Sequence, residues 1–115
     1  MPIKEKEIEW VGSSQDDLRE FPRTARQAGG HQLAKVQEGL DPDDFKPMMS
    51  IGPGAYEIRV HDDGNNEFRV IYVAKFEECL YVLHAFQKKS KTTPKKDIDL
   101  AKDRYKDILA SRKKK

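Results

Sequence analysis

The chain has little of what secreted or membrane proteins usually contain: one cysteine, one tryptophan and no long apolar run in 115 residues. Its single thiol, Cys79, has no partner for an internal disulfide, which argues against a disulfide-stapled secreted domain. No stretch approaches the roughly 20 apolar residues of a membrane-spanning helix, and no apolar segment follows the first methionine. These absences favour a cytoplasmic protein that does not cross a membrane.

The composition indicates a small core under a heavily charged surface. Hydrophobic residues and charged residues each make up 37% of the chain. Because a chain of this length has room for one core, we expect a single domain over residues 1–115.

The charges are unevenly distributed, although the formal net charge is only +2. Residues 86–115 contain twelve Lys or Arg side chains and four Asp side chains, a net charge of +8. Residues 1–85 carry the opposite excess, a net charge of −6. Phosphate-containing ligands therefore favour the C-terminal part of the chain, and basic partners favour the N-terminal part.

The N-terminal segment predicts an edge strand followed by a short helix. The range Ile3–Val11 places apolar residues among charges, which is typical of a strand that discourages pairing with other sheets. Gly12 ends this strand, and Ser13 or Ser14 is positioned to cap a helix that reaches Glu20.

A second helix is predicted from Pro22 to Gly39, with its centre weakened by Gly29 and Gly30. Gly39 marks its end, and residues 41–54, which are rich in proline and glycine, are predicted to form a loop. The apolar face of this helix repeats at three- and four-residue spacing and consists of Ala25, Ala28, Leu33, Val36 and Leu40.

Three strands are predicted next. The ranges Ala55–His61, Glu67–Phe76 and Cys79–Gln87 are rich in β-branched and aromatic residues, and Asp62–Asn66 has the composition of a hairpin turn. The second and third of these strands are almost continuously apolar, which indicates that both faces of the sheet are covered.

A final helix is predicted from Pro94 to Ser111, with Thr93 as its N-cap and Pro94 at its first position. Its narrow apolar stripe consists of Ile98, Ala101, Tyr105 and Ile108. The order of elements predicts an α+β fold, in which a small antiparallel-rich sheet packs with two N-terminal helices and one C-terminal helix.

The stretch Leu80–Lys96, LYVLHAFQKKSKTTPKK, joins the last strand to that helix. Apolar and aromatic residues run directly into lysines, so Phe86 at the strand end stands beside mobile positive charge. A stacking ring next to cations suits a single-stranded phosphodiester, and RNA is favoured. A core strand followed by a solvated lysine-rich loop is the alternative interpretation.

The segments AYEIRVHDD, EFRVIYVAKF and YVLHAFQKKSKTTPKKDIDLAKDRYKD resemble the phage-derived HigB-like branch of the RelE/ParE toxin superfamily. The resemblance covers residues 55–107, and HAFQKKSKTTP is its most specific part. It implies a RelE-like fold and a bacterial type II toxin, an endoribonuclease that cuts mRNA in the ribosomal A site and needs no cofactor. It also implies a cognate antitoxin of the HigA-like, helix-turn-helix kind.

The chemistry of RNA cleavage points to two arginines. Attack by the RNA's own 2′-hydroxyl requires in-line placement, proton transfers and stabilisation of a phosphorane, and none of these requires a metal ion. Arg59 and Arg69 lie on the two arms of the predicted hairpin, roughly opposite each other, and are the candidates to stabilise the phosphorane. Two adjacent buried arginines need a counter-charge, so an anionic ligand or Glu57 is expected to compensate them.

Lysines and one histidine are the candidates for proton transfer. A lysine serves as a base near neutrality only where neighbouring positive charge or burial lowers its pKa. The lysine cluster beside the arginines favours Lys88 or Lys89 for this role and Lys91 for contact with backbone phosphate. Histidine is the more usual acid or base, so His84 is a further candidate, although a packed strand position is an equally good interpretation.

RNA contacts are predicted for Phe86, Gln87, Lys91 and Tyr72, with the two aromatic rings as stacking platforms. Strand aromatics are more often part of a core. The superfamily often places an aromatic residue or histidine near the C-terminus, whereas this chain ends in SRKKK. This difference leaves the assignment of the proton-transfer roles open.

No metal site is predicted. His31, His61 and His84 are widely dispersed in the sequence, and the acidic residues 41–44 lack the remainder of a calcium-binding loop.

Two other classes of function remain open. A ParE-like protein would share the fold but bind DNA gyrase, and a small basic protein could bind RNA without cleaving it. The two arginines and the lysine cluster favour the ribonuclease.

Overall fold

The structure, a computed structural model, describes residues 5–113. In this range the strands are β1 (Glu7–Trp10), β2 (Phe45–Pro47), β3 (Ala55–His61), β4 (Glu67–Val73) and β5 (Cys79–Lys88). The helices are α1 (Ser14–Arg19), α2 (Arg23–Gln37) and α3 (Lys95–Lys113). The strands form one sheet in the order β1-β5-β4-β3-β2, in which β1 runs parallel to β5 and the other neighbours are antiparallel.

Helices cover both faces of the sheet. On one face α1 and α2 form a core with the sheet that includes Leu33 and Val70, and on the other α3 forms a second core that includes Ile71 and Tyr105. The predicted α+β fold is confirmed, as is the prediction that β4 and β5 are covered on both sides. No helix within residues 5–113 is both long and apolar enough to cross a membrane.

The first strand and helix are shorter than predicted. β1 begins at Glu7, and residues 3 and 4 of the predicted strand lie outside the described residues. Ser13 occupies the N-cap position of α1, but its hydroxyl donates to the Asp17 side chain at 2.7 Å and not to the helix backbone. Ser14 is buried and donates to the Val82 carbonyl at 2.9 Å, so it anchors α1 to β5.

Helix α2 ends where glycine was predicted to end it. The backbone N–H of Gly39, at φ +84°, donates to the carbonyl of Val36, and that of Leu40 donates to the carbonyl of Lys35. This pair of bonds is the Schellman arrangement, which favours glycine in the left-handed region. Leu40 therefore lies beyond the helix and is exposed, although it was predicted to extend the apolar face.

The predicted loop over residues 41–54 contains β2, so the prediction was wrong for these three residues. β2 pairs with β3 at the edge of the sheet, and Lys46 stands opposite Glu57. Proline at 47 is tolerated because an edge strand needs no N–H donor on its outer side. Three residues carry no clear periodicity, so β2 depends on the free edge that β3 offers.

The hairpin between β3 and β4 is confirmed. The Asp62 side chain accepts backbone N–H groups from Gly64 at 2.9 Å and Asn66 at 2.8 Å, and Asn65 takes the positive φ, +64°. β4 ends at Val73, three residues earlier than predicted. The register of β4 with β5 shifts between Ile71 and Tyr72, shortly before this end. Beyond β4, the backbone carbonyls of Ala74 and Phe76 accept hydrogen bonds from the Lys6 ammonium.

Helix α3 begins one residue later than predicted, because the Pro94 carbonyl accepts the first helical bonds. The predicted stripe is confirmed, since Ala101, Tyr105 and Ile108 are buried. Arg104 adds a polar attachment to the sheet by donating to the Leu83 carbonyl at 2.7 Å.

The two glycines in the middle of α2 predict opposite responses to alanine. A Cβ on Gly30 meets no atom within 4 Å, whereas a Cβ on Gly29 lies 3.2 Å from Leu18 Cδ1. Gly30→Ala should therefore raise the free energy of unfolding by about 0.5–1 kcal/mol. In Gly29→Ala the same gain in the free energy of unfolding should be offset, because the new methyl group crowds Leu18 of α1. Urea unfolding of both variants checks the prediction, and equal gains would contradict it.

Candidate nucleic-acid interface

Arg59 and Arg69 are direct partners in the ladder between β3 and β4. Residues paired in this way project from the same face of a sheet, here the face that α3 covers. The prediction that the two arginines lie opposite each other is confirmed.

Arg69 is enclosed by carboxylates. Its side chain is 2% exposed, and its Nε lies 3.2 Å from Oε1 of Glu57, close enough for an ion pair although not aligned as a hydrogen bond. A second guanidinium nitrogen donates to Oε1 of Glu67 at 2.8 Å, and a third donates to the Phe68 carbonyl. The prediction that Glu57 compensates a buried arginine is confirmed.

Arg59 is more accessible and has a different partner. Its side chain is 35% exposed, and Oδ1 of Asp44 lies 2.8 Å from its Nε and 2.6 Å from a terminal nitrogen. Asp44 itself is exposed, in the segment just before β2. Because solvent reaches both groups, an incoming phosphate can compete with Asp44 for this guanidinium.

The Glu57 carboxylate joins three parts of the fold. Besides Arg69 on β4, it accepts a 2.7 Å hydrogen bond from the Thr93 hydroxyl, and the Lys46 ammonium of β2 lies 3.8 Å away. Thr93 was predicted to cap α3, but its hydroxyl holds the lysine-rich segment before α3 against the sheet. Glu57 is fully buried, so these partners replace the water that its charge would otherwise require.

His84 and Phe86 lie beside the arginines on β5. Phe86 is the ladder partner of Arg69, and the His84 ring stacks on it with centroids 4.8 Å apart. His84 Nε2 lies 2.7 Å from Oδ1 of Asp97 in the first turn of α3, while its buried Nδ1 has no hydrogen-bond partner among residues 5–113. Asp97 was not among the predicted site residues, although an acidic residue in a first helical turn is a recognisable signal.

The three lysines follow Phe86, at the end of β5 and in the segment before α3. Lys88, at the end of β5, is the ladder partner of Glu67, so the positive surroundings predicted for it are partly cancelled. Lys89 and Lys91 are exposed, and neither forms an ion pair with another residue of the described range. They supply positive charge that no carboxylate of this range neutralises.

Two predicted RNA contacts lie away from this cluster. Tyr72 is buried in the core under α1 and α2 and stacks on Tyr56, and this burial raises the pKa of its hydroxyl. Gln87 alternates with Phe86 along β5 and so projects from the opposite face, although both residues line a cavity of about 320 Å³ together with Phe21 and His84. The sheet therefore separates Tyr72 from the arginine pair.

The cluster combines a neutralised interior with a cationic rim. The interior consists of Arg69 and its carboxylates, and the rim of Arg59, Lys89 and Lys91. Such a rim can hold the phosphates of a single strand, and Phe86 offers a ring close by. No three His, Cys, Asp or Glu side chains within residues 5–113 are grouped as a metal site.

Comparison with known protein families gives a match over most of the chain. The profile of the phage-derived protein Gp49-like family (DUF891) covers residues 16–106, most of the chain. The chain belongs to this family. The Gp49-like family is associated with RelE-like toxins of toxin–antitoxin systems, which suggests an antitoxin partner and agrees with the resemblance seen in the sequence. The search of curated proteins found no match.

The buried ion pair predicts a large difference between two glutamates. Glu57→Gln leaves the Arg69 charge without its buried partner, which should lower the free energy of unfolding by about 3–5 kcal/mol. Glu67→Gln removes a solvent-exposed partner and should cost much less. Urea unfolding of the two variants measures the difference, and similar losses would contradict the assignment of Glu57 as the main counter-charge.

Glu67 also predicts a dependence of stability on pH. The hydrogen bond from Arg69 lowers the pKa of Glu67 below its ordinary value of 4.5. Its contribution to stability is therefore complete above that value and is lost as the pH falls through the lower, folded-state pKa. The stability difference between the wild type and Glu67→Gln should shrink on acidification. An NMR titration midpoint of the Glu67 carboxyl at or above 4.5 would show the prediction to be wrong.

Proposed function

We propose that this Gp49-like protein is a HigB-like toxin that cleaves mRNA in the ribosomal A site and so inhibits translation in the cytoplasm. The observation that carries the proposal is the arginine pair, held in register beside Phe86, whose strand leads into the lysine-rich segment that Thr93 ties to Glu57. The family's association with RelE-like toxins supports the same class of function.

Arg59 is the proposed phosphate ligand. It is the more exposed arginine, and its partner Asp44 is exposed as well, so a phosphodiester can take the place of the carboxylate. A guanidinium binds two phosphate oxygens with the geometry it uses for a carboxylate. Arg69, neutralised by Glu57 and Glu67, holds the two strands together beside this position. Lys91 and Lys89 bind neighbouring phosphates of the strand.

The proposed reaction is an internal transfer. The 2′-oxygen forms a bond to the adjacent phosphorus while the bond from phosphorus to the 5′-oxygen breaks. One proton leaves the 2′-hydroxyl and another reaches the departing 5′-oxygen, and we assign these transfers to Lys88 and Lys89. Arg59 stabilises the charge of the phosphorane. The products carry a 2′,3′-cyclic phosphate and a 5′-hydroxyl.

His84 and Asp97 fit a positioning role better than direct proton transfer. The His84 ring is buried and one of its nitrogens is directed at Asp97, so it holds the start of α3 and supports Phe86 from below. Phe86 is then the proposed stacking platform for a base, a contact of roughly 1–3 kcal/mol. A cognate HigA-like antitoxin, a helix-turn-helix protein, is the proposed inhibitor.

The matched variants Arg59→Ala and Asp44→Ala test this proposal. Both remove the same exposed ion pair, but only Arg59→Ala removes the guanidinium. In a translation extract, Arg59→Ala should lower the rate of mRNA cleavage about 100-fold or more, whereas Asp44→Ala should retain or raise it. Primer extension locates the cuts, and end-group analysis should detect the cyclic phosphate. Circular dichroism confirms that both variants are folded.

Other outcomes assign other functions. Unchanged cleavage by Arg59→Ala would sink the proposed site. Growth arrest with intact mRNA and gyrase-linked DNA damage would identify a ParE-like toxin. RNA binding without cleavage, weakened by salt, would identify a non-catalytic RNA-binding protein.

A further inference from the structure

The outer edge of β1 carries unpaired backbone groups. The N–H of Glu7 donates to Glu78 and that of Val11 donates to Val82, so alternate residues of β1 bond to β5. Groups on the intervening residues point to the opposite edge. At Lys6 the backbone N–H and the backbone carbonyl are both hydrogen-bonded to Gln37 of α2. Those of Ile8 and Trp10 have no partner within residues 5–113.

An apolar groove lies beside this edge, on the face of the sheet that carries α1 and α2. It has a volume of about 190 Å³, and its apolar lining comes from Ile8, Trp10, Leu18 and Leu33, with Gly30 forming part of its wall and Gln15, Arg19 and Arg26 also lining it. Ile8 and Trp10 are only partly buried. The absence of a side chain at Gly30 leaves this space open, because a Cβ there meets no atom within 4 Å.

The opposite face of β1 is acidic. Glu5, Glu7 and Glu9 alternate with Ile8 and are exposed, and none of them forms an ion pair with another residue of the described range. They line a cavity of about 460 Å³ together with Arg112 of α3, whose guanidinium is bonded to Glu78 and Tyr81. β1 thus presents an apolar groove on one face and three carboxylates on the other.

We propose that the edge of β1 is a docking site for an extended segment of a partner protein, in which apolar residues alternate with Lys or Arg. Such a segment adds a strand by bonding to the backbone of Ile8 and Trp10. Because strand side chains alternate between faces, its apolar residues enter the groove while its cations meet Glu7 and Glu9. The alternation of apolar and basic residues in the partner therefore follows from the apolar groove on one face of β1 and the carboxylates on the other.

A second copy of this chain fits the edge poorly. Two copies of β1 joined edge to edge would bring Glu7 and Glu9 of one copy close to those of the other, and like charges that face each other across strands are destabilising. The pairing of β1 covers β5 only from Cys79 to Val82, whereas the arginine pair adjoins β5 near Phe86. The docked segment therefore leaves the candidate nucleic-acid interface open, and this inference is independent of the proposed function.

Fluorescence polarisation with the full chain tests the inference. The probe is a labelled peptide of about six residues, a typical strand length, that alternates Leu with Lys. Two comparison peptides replace Lys with Glu or carry N-methylated amides along one edge. Gly30→Leu fills the groove and should weaken binding of the Leu–Lys peptide about tenfold or more. Gly30→Ala is too small to fill it, and His31→Leu places a leucine at an exposed position of α2 that does not line the groove, so both should bind as the wild type does.

Each result has a defined meaning. The proposal predicts that the Leu–Glu and N-methylated peptides bind much more weakly than the Leu–Lys peptide. Equal binding of all three peptides, unchanged binding by Gly30→Leu, or no binding at all would overturn it. A concentration-dependent dimer in sedimentation that Gly30→Leu dissociates would assign the edge to a second copy, and would also overturn the proposed occupant.

Discussion

The buried ion pair between Glu57 and Arg69 is the constraint on which the rest of the site depends. A charge removed from water must be paired, and here the pair joins β3 to β4 on the face of the sheet that α3 covers. The same carboxylate binds Thr93 from the segment before α3 and lies near Lys46 of β2. One carboxylate therefore ties the lysine-rich segment to the sheet and lies close to a lysine of the edge strand.

The pair also gives the two arginines different roles. Arg59 and Arg69 look alike in the sequence, and their register places them side by side. β4 lies inside the sheet, so Arg69 is enclosed, whereas β3 is followed by the short edge strand β2 and leaves Arg59 partly open to solvent. A buried and neutralised arginine can shape the local field, and an exposed one can exchange its carboxylate for a ligand.

The C-terminal helix connects this site to the basic part of the chain. Its narrow apolar stripe packs on the sheet, and polar contacts from Thr93, Asp97 and Arg104 orient it. The segment that precedes it carries Lys89 and Lys91 to the rim of the arginine pair. The basic part of the chain is thereby tied to the sheet through the Thr93 hydroxyl and Glu57, in a member of a family associated with RelE-like toxins.

The sequence alone determined the features that depend on neighbours in the chain. Period-two and helical spacing located the main strands and helices, the glycine at 39 ended α2, and hairpin symmetry placed Arg59 opposite Arg69. Tertiary structure decided what depends on distant partners. Three residues became β2 because β3 had a free edge, Asp97 met His84 across the core, and Tyr72 turned to the face opposite the arginines. Local periodicity records which residues are buried, but the partner of a buried charge or ring is set only when separate elements pack together.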